Sequence, residues 1–191
     1  MNSLAQKRRF VTLGKFLLAA GITLAIWATL YSFAVDVGFR SLAFIFFVNW
    51  FLMLWLYLLG KLGTVKLWPG YYAIYAFEQD GRFYKRLGIR RFQKLLRRSF
   101  LGKINDNLKL STPGNHALQQ LDEITQTTEA AHALIFVIIG GMSLYALTRQ
   151  WWDTAVWLFL FNMLHNGYPV LSQRYTRSRL RPLQTRKKLT H

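Results

Sequence analysis

Four stretches without a formal charge decide what this chain can fold into. Phe16–Val35, Ser41–Gly60, Ala130–Thr148 and Thr154–Gln173 each run 19 or 20 residues without Lys, Arg, Asp or Glu. A helix needs about 20 apolar residues to cross roughly 30 Å of hydrocarbon, and a helix satisfies its own backbone there. The sequence therefore predicts an all-α polytopic membrane protein with four transmembrane helices, over residues 16–35, 41–60, 130–148 and 154–173. It reads as one integral-membrane domain, 1–191, with a loop over residues 61–128. Lys7-Arg8-Arg9 before the first run fits a signal peptide too, but the run is about twice the length of an ordinary h-region. A retained anchor is the expectation.

Charge gives the orientation. The chain holds 25 Lys and Arg against 8 Asp and Glu, a formal net charge of +17. The N-terminal arm carries Lys7, Arg8, Arg9 and Lys15, and residues 61–109 carry 12 basic residues. The tail after the fourth stretch adds Arg174, Arg177, Arg179, Arg181, Arg186, Lys187 and Lys188, whereas the two remaining connections carry only Arg40 and Arg149. Basic loops stay cytosolic. Both termini and the central loop are therefore expected in the cytosol, with the spans in the inner (plasma) membrane. This distribution accounts for the positive charge without nucleic acid. The absence of cysteine excludes a disulfide scaffold, thiolate zinc sites and cysteine nucleophiles.

The loop has structure of its own. Trp68-Pro69-Gly70 predicts a turn. From Arg82 to Arg98 there are eight basic residues and no acidic one. Ile89, Phe92, Leu95, Leu96 and Phe100 recur at helical spacing, with Arg90, Arg91, Lys94, Arg97 and Arg98 largely opposite. Such a helix is expected in the headgroup plane of a bilayer with anionic lipids, or as a docking surface for a phosphate-bearing substrate such as a coenzyme A thioester. Thr112-Pro113 predicts the cap and first turn of the helix that leads into the third span.

Polar residues within spans are costly and face the bundle interior, so each is a candidate for function. Glu129 and His132, three apart, share a helical face at the start of span three. Asn162, His165 and Asn166 share a face of span four. The two groups are expected to meet at similar depth, with Arg174 at the rim. Interhelical hydrogen bonding is the bland alternative for each residue. Two His and a carboxylate suit zinc or iron, yet the chain has only four His and no H-E-x-x-H pattern; neither metal nor cofactor is expected. A histidine acting as general base on a hydroxyl is simpler, with Asn and Arg steadying an oxyanion. That toolkit fits acyl transfer to an alcohol. Other signals are poor: His116 to Asp122 is one residue too long for H-x4-D, and Gly140-Gly141 lies inside a span.

Glu78-Gln79-Asp80-Gly81-Arg82-Phe83-Tyr84 through Phe92 resembles the E-x-x-G-R-x-Y block of the glycosyl-4,4'-diaponeurosporenoate acyltransferases. Asn166-Gly167-Tyr168-Pro169 through Arg177 resembles their N-x-Y-P-x-x-x-Q-R-Y-N-R block, with Thr176 in place of Asn. Thr128-Glu129-Ala130-Ala131-His132 is similar to their E-T-x-x-A-E-x-x-H helix, with Gln126 and Thr127 departing from that pattern. The resemblance implies transfer of a fatty acyl group from a cytosolic acyl thioester to a sugar hydroxyl of a glycosylated carotenoid or similar glycolipid. His165 is the expected base, with His132 as its rival. Glu129 would orient the base, and Asn162, Asn166 and Arg174 would hold the oxyanion. Arg82, Arg90 and Arg91 would meet the donor's phosphates, while Tyr84, Gln173 and Tyr175 would border the substrate. The competing reading is a non-catalytic membrane subunit that binds pigment or lipid or packs in a larger complex.

Overall fold

The computed structural model describes residues 2–63, 65–98 and 115–189. The expected cap at Thr112-Pro113 lies outside them. Among the described residues every regular element is helical. The order is α1 (Asn2–Val37), α2 (Leu42–Lys61), two 3-10 turns (Pro69–Tyr72 and Ala76–Glu78), α3 (Arg82–Arg86), α4 (Ile89–Arg98), α5 (Asn115–Thr148) and α6 (Trp152–Asn162). A π turn (Met163–Gly167) then leads into α7 (Tyr168–Leu189).

Three segments are long and apolar enough to cross a membrane: Val11–Val37, Leu42–Lys61 and Leu118–Thr148. The fourth expected span is not a single apolar helix. Its first part, α6, has 11 residues, and the π turn that follows holds His165, Asn166 and Gly167. The polar residues that made this stretch interesting also interrupt its apolar run.

Backbone contacts divide the chain into two units. The first comprises Met1–Val65 and Val137–Asn162. Here α1 and α2 form an antiparallel hairpin closed at Gly38, whose φ of +85° suits glycine. Ser41 caps α2 by accepting a hydrogen bond from the Phe44 amide at 3.1 Å. Aromatic rings line the α1–α2 seam, with Trp27 against Trp55 at 5.7 Å and Phe33 between Phe47 and Phe51. Trp55 Nε1 donates to Thr23 Oγ1 at 3.0 Å, which satisfies the indole within an apolar surface. The α1–α2 and α5–α6 connections meet at one end. Phe39 packs on Trp151, Arg40 lies over the same indole at 5.6 Å, and Arg40 pairs with Asp153 at 3.3 Å.

The second unit comprises Lys66–Phe136 and Met163–His191. The Trp-Pro-Gly turn forms as a 3-10 helix with Pro69 in its first turn. Helix α4 forms over the expected stretch, and part of its apolar stripe packs on protein. Ile89 is fully buried with Tyr84 and Tyr175, Phe92 packs on Tyr168 at 5.3 Å, and Gln93 donates to Ser172 Oγ at 2.9 Å. Ile89 and Phe92 of the expected stripe thus pack on protein, Leu95 is 70% exposed, and Phe100 lies outside the described residues. The 3.6-residue period is the same whether a stripe packs on protein or on acyl chains.

Gly81 shows how closely the segments approach. Its φ is +64°, and a Cβ there would lie 2.9 Å from Tyr175 Cε2. Gly38 is equally left-handed but has open space around it. Gly81→Ala is expected to cost about 1–3 kcal/mol and to shift the Tyr175 ring. Gly38→Ala should stay near the lower end, since it carries backbone strain alone. Thermal unfolding of both variants in detergent checks this; equal losses would contradict the steric account.

Candidate functional site

The second unit is built around a guanidinium. Arg174 extends from α7, and each of its five N–H groups finds an oxygen. Nε donates to Glu78 Oε1 at 2.8 Å. Nη1 donates to the Tyr71 carbonyl and to Glu129 Oε1, both at 3.1 Å. Nη2 donates to the Ala73 carbonyl at 2.9 Å and to Glu78 Oε2 at 2.8 Å. The bidentate fork to Glu78 is geometry that only arginine supplies. Glu78, 3% exposed, also accepts the Tyr75 amide at 2.8 Å and the Tyr84 hydroxyl.

Three residues further along α7, Arg177 is wholly buried. It pairs with the second oxygen of Glu129, donates to the Tyr72 carbonyl at 3.2 Å, and lies 3.9 Å from Asp122. Its guanidinium also lies over the Tyr72 ring at 5.2 Å. Two arginines and three carboxylates therefore join the 71–84 segment, α5 and α7. Burying charge is expensive, and removing one member of a buried pair strands the other.

Burial alone would raise the Glu78 pKa. The hydrogen bonds from Arg174, Tyr84 and the Tyr75 amide outweigh it and hold the carboxyl below its ordinary value. Burial and the neighbouring carboxylate push the Tyr84 hydroxyl up, so it stays a proton donor at neutral pH.

The uncharged polar contact lies where α5 meets the π turn. His132 Nδ1 is 3.2 Å from Asn166 Oδ1. An amide oxygen accepts, so the tautomer with its proton on Nδ1 satisfies this contact and carries its lone pair on Nε2. The π turn holds one more residue than an α turn would, and such turns recur at functional sites. Gly167 lets it sit close to α5: an added Cβ would meet Met163 Sδ at 3.1 Å and Phe136 Cε2 at 3.3 Å.

The expected site residues separate into groups. His132 and Asn166 are brought together, and His165 precedes Asn166 in the same π turn, half-buried. Glu129, expected to orient a histidine, is taken up by Arg174 and Arg177. Arg174, expected at an oxyanion, has no N–H left over. Tyr84 and Tyr175 are both buried, with their rings 5.9 Å apart. Arg82, Arg90 and Arg91 are exposed, Arg82 in a loose pair with Asp80 at 3.7 Å. Gln173 is half-buried, and Asn162 is buried but belongs to the first unit. Sequence reasoning gave no role to Glu78, Asp122 or Arg177. The available signal was spacing: Asp122 and Glu129 are two helical turns apart, and Arg174 and Arg177 are three residues apart, so each pair shares a face.

Arg174→Lys keeps the charge but cannot fill five acceptors. It should cost about 3–5 kcal/mol, read by chemical unfolding in detergent. Because the Glu78 pKa is depressed on folding, its contribution is complete above the ordinary value of 4.5 and fades as pH falls through the folded value. The stability gap between the wild type and Glu78→Gln should therefore be wide at neutral pH and shrink in acid. A gap that widens in acid would contradict this sign.

The family model for glycosyl-4,4'-diaponeurosporenoate acyltransferase matches residues 69–186, which is more than half of the chain. The match begins at the Pro69 turn, ends in α7, and contains every residue of the charge network and of the His132–Asn166 contact. No curated protein and no solved structure matches. The chain belongs to the glycosyl-4,4'-diaponeurosporenoate acyltransferase family.

Proposed function

We propose that this protein is an integral-membrane O-acyltransferase that moves a fatty acyl group from a cytosolic acyl thioester to a sugar hydroxyl of a glycosylated carotenoid or similar glycolipid. Family membership supports the reaction class. The observation that carries the mechanism is the His132–Asn166 contact, because a base for a hydroxyl must be oriented by a third group.

With Asn166 accepting from Nδ1–H, Nε2 of His132 takes the proton of the sugar hydroxyl as its oxygen attacks the thioester carbonyl carbon. The carbonyl electron pair moves to oxygen in the tetrahedral intermediate. Its collapse forms the ester and breaks the C–S bond, and the departing thiolate takes the proton from His132. The base role goes to His132, whose contact to Asn166 orients its ring, with His165 of the same π turn as the rival base. Arg82, Arg90 and Arg91, all exposed and basic, meet the donor's phosphates. Glu129, Arg174 and Arg177 act at one remove by fixing α5 against α7.

The proposed topology has four spans, with α6, the π turn and the start of α7 crossing together and both termini in the cytosol. Two observations support it. The weakly charged connections at Arg40 and Arg149 meet around Trp151 at one end of the first unit. The basic stretches lie in the remaining connections, as cytosolic loops require.

His132→Ala should lower kcat by about 10²–10⁴-fold while thermal unfolding stays close to wild type. Purified enzyme in detergent, given an acyl thioester and a glycosylated carotenoid, reads this by mass spectrometry of the product. A larger loss in His165→Ala than in His132→Ala would return the base role to His165. Full turnover in both variants would sink the catalytic reading and favour a non-catalytic membrane subunit.

A further inference from the structure

The second unit also exposes a group of aromatic rings at the edge of its charge network, where Arg174 lies over the Tyr75 ring at 5.8 Å. Tyr75 and Phe77 lie 6.0 Å apart and within 4° of parallel. Phe83 meets Phe77 edge-on at 5.5 Å. The three side chains are 56%, 61% and 41% exposed. Single exposed apolar residues need no explanation, whereas a contiguous cluster does.

The support beneath this cluster is fixed. Tyr75 caps, and Phe77 lies within, the 3-10 turn whose Glu78 carboxylate grips the Tyr75 amide and Arg174. Phe83 lies in α3, beside the buried Tyr84. A held backbone thus presents rings to the outside. Lys85 and Arg86 are exposed in the same helix, and no acidic residue occurs from Arg82 to Arg98. Rings beside cations suit the headgroup region, where an apolar body enters the acyl boundary and positive charge meets anionic lipid. Helix α4 offers less for that task, because Ile89 is buried and Phe92 packs on α7.

We infer that the Tyr75–Phe77–Phe83 cluster seats the loop in an anionic bilayer surface, with the rings at the headgroup–acyl boundary and Lys85 and Arg86 against anionic headgroups. The inference rests on the membrane reading and is independent of the acyl transfer.

The chain has no cysteine, so single cysteines can carry a spin label. Phe77→Cys and Phe83→Cys would be labelled in nanodiscs containing phosphatidylglycerol. Lys94→Cys on α4 serves as an aqueous reference, and Leu144→Cys in the apolar part of α5 as a lipid reference. Collision with oxygen and with a water-soluble nickel chelate reports depth. The expected result is a label depth of about 5–10 Å at position 77 or 83, with more oxygen and less nickel collision than at position 94. Nickel accessibility at both ring positions equal to that at 94, with 144 lipid-exposed, overturns the inference and leaves the membrane reading intact. Nickel accessibility at 144 as well overturns both. Ring positions closed to both reagents indicate a protein cover and overturn the lipid assignment.

Discussion

The second unit depends on one saturated guanidinium. Arg174 satisfies five acceptors drawn from the Tyr71 and Ala73 carbonyls, Glu78 and Glu129. A buried cation is tolerable only when its donors are all engaged, and here that condition requires two remote segments to converge on α7. Arg177 repeats the arrangement one turn later with Glu129, the Tyr72 carbonyl and Asp122. The 3-10 turns, α5 and α7 are thus held by charge as well as by apolar packing such as that around Tyr84, Ile89 and Tyr175.

In this chain Glu78 grips Arg174, Gly81 makes room for Tyr175, and the Tyr84 hydroxyl closes the carboxylate of Glu78. The groups suited to proton transfer are uncharged neighbours of that frame, His132 one turn after Glu129 and Asn166 two turns before Arg174. A frame of ion pairs positions the two helices, and an amide then orients the imidazole. The π turn contributes by fitting Gly167 closely against Phe136.

Charge-free runs of sufficient length made the helical class and three of the spans legible in the sequence, because hydrocarbon admits little else. The fourth expected span does not form as one apolar helix. A π turn arises from tertiary fit and leaves no periodic mark, and its polar residues weaken the apolar run. Helix α4 was found, but its partner was not, since a stripe that suits lipid also suits Tyr168 and Leu171. The meeting of span three with the polar turn was anticipated, and His132 with Asn166 carries it. The arginine network was not: pairing Arg174 with Glu78 and Glu129 joins residues 96 and 45 positions apart, which spacing along one helix cannot reveal. Reading Glu129 and Arg174 as catalytic followed from their position, and only their contacts show them occupied by each other.

The central claim is that Arg174 holds three separate segments at once. Hydrogen–deuterium exchange of the purified protein in detergent tests it most directly, comparing wild type with Arg174→Gln. The account predicts that amide protection falls together in 71–84, 122–132 and 168–178, because all three lose the same partner. Loss confined to 168–178, with the other two segments protected as in wild type, would contradict it.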